Sequence, residues 1–120
     1  MAEERRKARQ RGGKEREEAV ARRAAVGEAE AAGDCAGVVA LMRAGPGDVE
    51  MQRAGCAALT NLAANNADNQ VTIAEAGGIR SVVDAMERHK DVADVQEYGC
   101  ATLSNLAHNG KKNIYIESIR

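Results

Sequence analysis

The feature that most constrains this chain is an internal duplication at a spacing of 44 residues. Gly55-Cys56-Ala57 returns as Gly99-Cys100-Ala101, and Leu59, Asn61, Leu62 and Ala63 return as Leu103, Asn105, Leu106 and Ala107. Val38, Val39, Met42, Gln52, Asn65 and Asn69 match Val82, Val83, Met86, Gln96, Asn109 and Asn113 at the same offset. That makes 13 identities, without a gap, between Cys35–Asn69 and Ile79–Asn113. Unrelated segments of this length would agree at about two or three places. A fixed period of this size is the mark of stacked helical units, none of which has enough apolar surface to fold alone.

Within one period the apolar spacing predicts three helices and no strand, since nothing alternates with period 2. The first runs from about Asp68 to Ala76 and is closed by Gly77-Gly78, where glycine accepts the left-handed conformation. The second runs from Ile79 to about Arg88, with Ile79, Val82, Val83 and Met86 on one face. Its earlier copy presents Cys35, Val38, Val39 and Met42, followed by the breaker Gly45-Pro46-Gly47. The third runs from about Asp48, a natural N-cap, to Ala64, with Met51, Gly55, Ala58, Leu59 and Leu62 inward. The matching helix, about Val92 to Asn109, presents Val95, Gly99, Thr102, Leu103 and Leu106.

Residues 1–32 read differently. They carry nine Lys or Arg and seven Asp or Glu, with Val20 and Val26 the only large apolar residues after Met1. Helix propensity is high, but no apolar stripe holds a helix in place, and Gly12-Gly13 interrupts it. The expectation is a partly frayed helix or a flexible charged segment. The domain boundary therefore falls at 32/33, with units at about 35–78 and 79–120.

Composition narrows the function. The 120 residues have a net charge of −1, two tyrosines and no Phe or Trp. Residues 33–120 alone carry eight bases against eleven acids. A nucleic-acid site needs basic and aromatic residues together, so none is expected. Nor is a membrane span, since every apolar run is short. Three cysteines without metal or disulfide spacing suit the reducing cytoplasm or nucleus.

The run Ala58-Leu59-Thr60-Asn61-Leu62-Ala63, then Asn69 to Ile73 and Ala76-Gly77-Gly78-Ile79, resembles an armadillo repeat. Ala101-Thr102-Leu103-Ser104-Asn105-Leu106-Ala107 resembles it again, and the period lies in that group's range of roughly 40 to 47. The resemblance spans about Gly33 to Arg120. It implies an all-α, armadillo-like α-α superhelix, in which the third helix of each unit lines a concave groove for extended peptides. It also implies that Asn61 and Asn105 form a ladder holding peptide backbone. The peptide-import adaptors of this family have a Trp four residues before that Asn. Here Ala57 and Ala101 stand there, which removes the slots for basic side chains. After Asn113 the second copy lacks Ala-Gly-Gly, and Ile119 falls 40 residues after Ile79. A truncated product, or a piece of a longer array, is the expectation.

The residues support the ladder on their own terms. Asn61 lies about 200° around its helix from Leu59, so it points away from the core. Arg53, Ala57 and Ala64 share its face, and Asn65 is a further candidate contact. Glu97, Ala101 and His108 repeat that ridge around Asn105. An amide both donates and accepts, so it can hold any peptide backbone. Two roles are open to each Asn: binding a partner's backbone, or a structural one, bonding the backbone of the neighbouring unit or capping a helix. The function expected is a protein-interaction module for a partner protein or extended peptide. The alternative is a structural fragment that associates weakly with itself, because Leu103 and Leu106 would lie near an open face.

No catalytic, metal or cofactor site is expected. Cys56 and Cys100 read as small apolar packing, as does Cys35, and His89 and His108 lack partners at ligand spacing. Asp91, Asp94 and Glu97 match a helix dipole. Gly77-Gly78 follows a helix, where a phosphate loop would follow a strand.

Overall fold

A computed structural model describes residues 1–108. They form six helices: α1 (Ala2–Ala31), α2 (Cys35–Ala44), α3 (Val49–Ala63), α4 (Ala67–Glu75), α5 (Gly78–Arg88) and α6 (Ala93–Ala107). The class is all-α, and there is no strand among the described residues. Asn109 and Asn113, and the segment containing Ile114, Tyr115, Ile116 and Ile119, lie outside the described residues.

Short polar residues start three of the helices. The Asp34, Asp48 and Asn66 side chains accept from the backbone N–H groups of Gly37, Met51 and Asn69 at 2.9, 3.2 and 2.9 Å. Each such cap stabilises by about 1 kcal/mol, because it satisfies an N–H that the helix cannot. Gly33 and Gly77 take positive φ, 70° and 85°, and turn the chain into the next helix.

The 44-residue period recurs in the bonding. Gln52 Nε2 donates to the carbonyls of Met42 and Gly45 at 2.9 and 2.8 Å. Gln96 Nε2 donates to those of Met86 and His89 at 2.9 and 3.1 Å. These amides tie the end of one helix to the next helix, at carbonyls that have no intrahelical partner. Gly55 sits against the Met42 side chain where a Cβ would clash, and Gly99 sits against Met86 in the same way. The correspondence extends further back than the sequence identities do. Ala32 and Gly33 N–H bond Glu28 and Glu30 carbonyls, and Ala76 and Gly77 bond Thr72 and Ala74. The last turns of α1 therefore play the part of α4.

The first segment differs from expectation. One continuous helix runs through Gly12 and Gly13, although each costs about 1 kcal/mol relative to Ala. Its first half is exposed, while its last turns pack on α2 and α3. Val26 is buried, and Arg22 and Arg23 reach the Asp48 carboxylate at 3.9 and 3.7 Å. Two guanidiniums thus face one carboxylate at the start of α3, beside the buried Val26.

α3 is flanked by α1 and α6, and α2 packs on α4 and α5. Between them lies an aliphatic core centred on Val38, Met42, Met51, Leu59, Ile73 and Val82. With no ring to bury, helices approach through Ala, Gly and Cys. Leu106, expected at an open face, is 1% exposed. Leu103 is only partly buried.

Candidate functional site

The expected site lies on α3 and α6, which pack side by side. Polar contacts join them at both ends and in the middle. At the N-terminal end, Arg53 Nη1 donates to the Glu50 carboxylate at 2.6 Å, and Arg53 Nε lies 3.1 Å from Asp94 Oδ2. Arg53 thus links the two helices near the dipole-positive start of each, where carboxylates are favoured. Partly exposed ion pairs of this kind contribute little stability, so orientation is their main effect.

In the middle, the Thr60 and Thr102 hydroxyls meet at 2.7 Å. Thr60 Oγ1 also lies 2.8 Å from the Cys56 carbonyl, and Thr102 Oγ1 lies 3.0 Å from the same atom. Both hydroxyls reach the Tyr98 carbonyl, at 3.2 and 2.9 Å. Each hydroxyl carries one proton, so one donates to the other and the second donates to a carbonyl. Thr102 is fully buried, at a position the sequence reading treated as part of the apolar face. The signal was available: Thr102 stands where the first copy has Ala58, and a hydroxyl there needs a partner.

At the far end the two ladder residues part company. Asn105 Nδ2 donates to the Thr60 carbonyl at 2.9 Å. Of the two roles open to it, this is the bond to the neighbouring unit's backbone. One of its two amide protons is therefore engaged within the fold. Asn61 is exposed, and its side chain has no hydrogen bond among the described residues.

Ala57 and Ala101 are partly buried, beneath the ridge rather than projecting from it. Glu97 and His108 are exposed on and just after α6. Asn65 is exposed with φ of 52°, a left-handed conformation that Asn tolerates better than most side chains. That conformation gives Asn65 a turn-forming role between α3 and α4. The arrangement thus brings Arg53, Ala57 and Asn61 together on one helix and Glu97, Ala101 and Asn105 on the next. Arg53 and Asn105 are occupied by intramolecular bonds, and Asn61 and Glu97 are open to solvent.

Other polar contacts tie loops and helices together. His89 Nε2 contacts the Pro46 carbonyl at 2.8 Å, joining the loops after α5 and α2. Arg43 Nε donates to Ser81 Oγ at 3.3 Å across a cleft of about 510 Å³ between α2 and α5. Asp84, Glu87, Arg43 and Arg88 line that cleft, so its charges balance. Cys35 and Cys56 are buried as expected, whereas Cys100 is exposed. Burial pushes the Cys56 thiol up to about 12, and burial likewise raises Cys35. Neither is a nucleophile at neutral pH. No group of three or more His, Cys, Asp or Glu side chains that could hold a metal forms among the described residues. No helix among them is long and apolar enough to cross a membrane.

The chain matches no protein-family model, no curated protein and no solved structure.

Proposed function

We propose that the chain is an armadillo-like helical-repeat module that binds a protein partner as an extended segment along α3 and α6. It acts by binding and carries out no chemistry. The observation that carries this reading is Asn61. It is an exposed amide on the outer face of α3, without a hydrogen bond among the described residues, on a helix fixed on both flanks. An amide so held can donate to one peptide carbonyl and accept from one N–H, whatever the side chains of that peptide. A rigid platform spares the partner most of the ordering cost that binding otherwise carries.

Ala57 and Ala101 supply low ground on either side of this amide, and Glu97 adds a negative charge on α6. The expected ligand is therefore a segment in extended conformation with a basic residue near Glu97. Without aromatic anchors its affinity is modest. A cytoplasmic or nuclear setting follows from the same reading, as does the exclusion of nucleic acid as ligand.

The test is selection of peptides from a random library displayed on phage against the full chain, followed by nuclear magnetic resonance titration of a selected peptide. Shifts concentrated at Arg53, Ala57, Asn61, Glu97 and Ala101 support the reading. Shifts confined to other helices, or a library that yields no binder, overturn it.

A further inference from the structure

The two ends of the helical stack are not equivalent. On the α1 side, Met51 and Ala58 of α3 are 0% and 1% exposed. Their counterparts 44 residues later, Val95 and Thr102, are both 0% exposed at the junction with α3. α1 therefore closes its side of α3 as thoroughly as α3 closes α6. On the other side, Val39, Met42 and Leu59 are 1%, 2% and 0% exposed, where α4, α5 and α6 come down on them. Their counterparts Val83, Met86 and Leu103 are all partly exposed. Cys56 is 0% exposed, and its counterpart Cys100 is exposed. Among the described residues the same surface is thus made twice and filled once.

Among the described residues the second copy is a cleft of about 430 Å³ between α5 and α6. Val83, Met86 and Leu103 form its apolar floor, and Glu87, Lys90 and Gln96 form its rim. The rim carries one charge of each sign, three residues apart at the end of α5.

We infer that this α5–α6 face binds a second copy of the chain, face to face, about a twofold axis. Head-to-tail stacking would need the α1 side of another molecule, and α1 already occupies it. A twofold pairing uses the same patch on both molecules and closes after two. It also sets Glu87 of one copy against Lys90 of the other, twice, so the rim is complementary to itself. Cys100 shares the helix face of Gln96 and Leu103 and would lie within the contact. The apolar floor is small, so the dimer is weak.

Sedimentation equilibrium of the full chain over a concentration series tests this. The weight-average mass should climb from that of one chain toward that of two and level off. Glu87→Lys or Lys90→Glu alone places like charges together and should weaken dimerisation at least about tenfold. Both changes in one chain should restore it, as should mixing the two single variants. Circular dichroism of each variant checks that helix content is kept. The rate at which Cys100 reacts with a thiol reagent should fall as concentration rises. A constant one-chain mass overturns the inference, and slow Cys100 labelling at every concentration would then show that residues 109–120 cover the face instead. A mass that grows past two chains overturns the twofold pairing. So do charge variants that all behave alike.

Discussion

The Asn105 side-chain amide reaches the Thr60 carbonyl at 2.9 Å, and that one bond separates two asparagines which the sequence makes equivalent. One unit's ladder residue is bonded to the next helix, whereas Asn61 faces solvent. The functional reading rests on this asymmetry.

Stability should therefore respond differently at the two positions. Asn105→Ala removes the donor to a partly buried carbonyl and should cost about 1 kcal/mol. Asn61→Ala should fall within about 0.5 kcal/mol of the parent, as exposed substitutions do. Urea denaturation of both variants measures the difference.

Gln52 and Gln96 make the same two bonds in successive units, but Gln52 is the more deeply buried. Gln52→Ala strands the Met42 carbonyl, while the Gly45 carbonyl keeps the Asp48 N–H, and should cost roughly 1–3 kcal/mol. Gln96→Ala should cost less, since water can reach the carbonyls that it leaves. Gly55→Ala and Gly99→Ala each drive a methyl into a methionine, and Met42 has less room to move than Met86. Thermal denaturation of the four variants should rank the first unit as the more sensitive in both pairs.

Limited trypsin digestion reads the docking of α1. Cleavage should come first between Arg5 and Arg16, on the exposed half of the helix. Arg22 and Arg23, held at Asp48, should be cut much later. Asp48→Ala should bring their cleavage forward and loosen the start of α3. Equal early cleavage at all of these sites in the parent would show that α1 is undocked.

Cys56 gives a pH signature. Burial holds its thiol up near 12, while the same thiol in the unfolded chain ionises near 9. The unfolded state therefore loses a proton first, and stability that is complete below about pH 9 declines as pH rises toward 12. The decline should be shallower in Cys56→Ala. The difference between the two curves isolates the contribution of this thiol.

Much of the fold is legible in the sequence, for local reasons. Asp48 reads as a helix start because a short carboxylate caps N–H groups, and it bonds Met51 N–H. The inward face of α3 follows from its 3.6-residue spacing. What the sequence conceals depends on neighbours. Cys56 and Cys100 are one letter in one context, yet one is buried and the other exposed, because among the described residues a following helix covers only the first. The part of α1 that acts like α4 shares with it only the closing Ala-Gly, so the identities give little sign of it. The Thr60–Thr102 contact spans 42 residues and exists only once α3 and α6 are side by side. Asn105 could have bonded a ligand or its neighbour. That one of its amide protons reaches the neighbouring helix follows only from the position of the Thr60 carbonyl.

The most direct test of the central claim is a titration by isothermal calorimetry with a peptide selected against the full chain, comparing the parent with Asn61→Ala and Asn105→Ala. The account predicts that Asn61→Ala binds at least about tenfold more weakly, the worth of roughly 1.4 kcal/mol, with an unchanged melting temperature. Asn105→Ala should lower the melting temperature and change affinity by less. Parent-like affinity in Asn61→Ala would contradict the claim that this amide holds the partner's backbone.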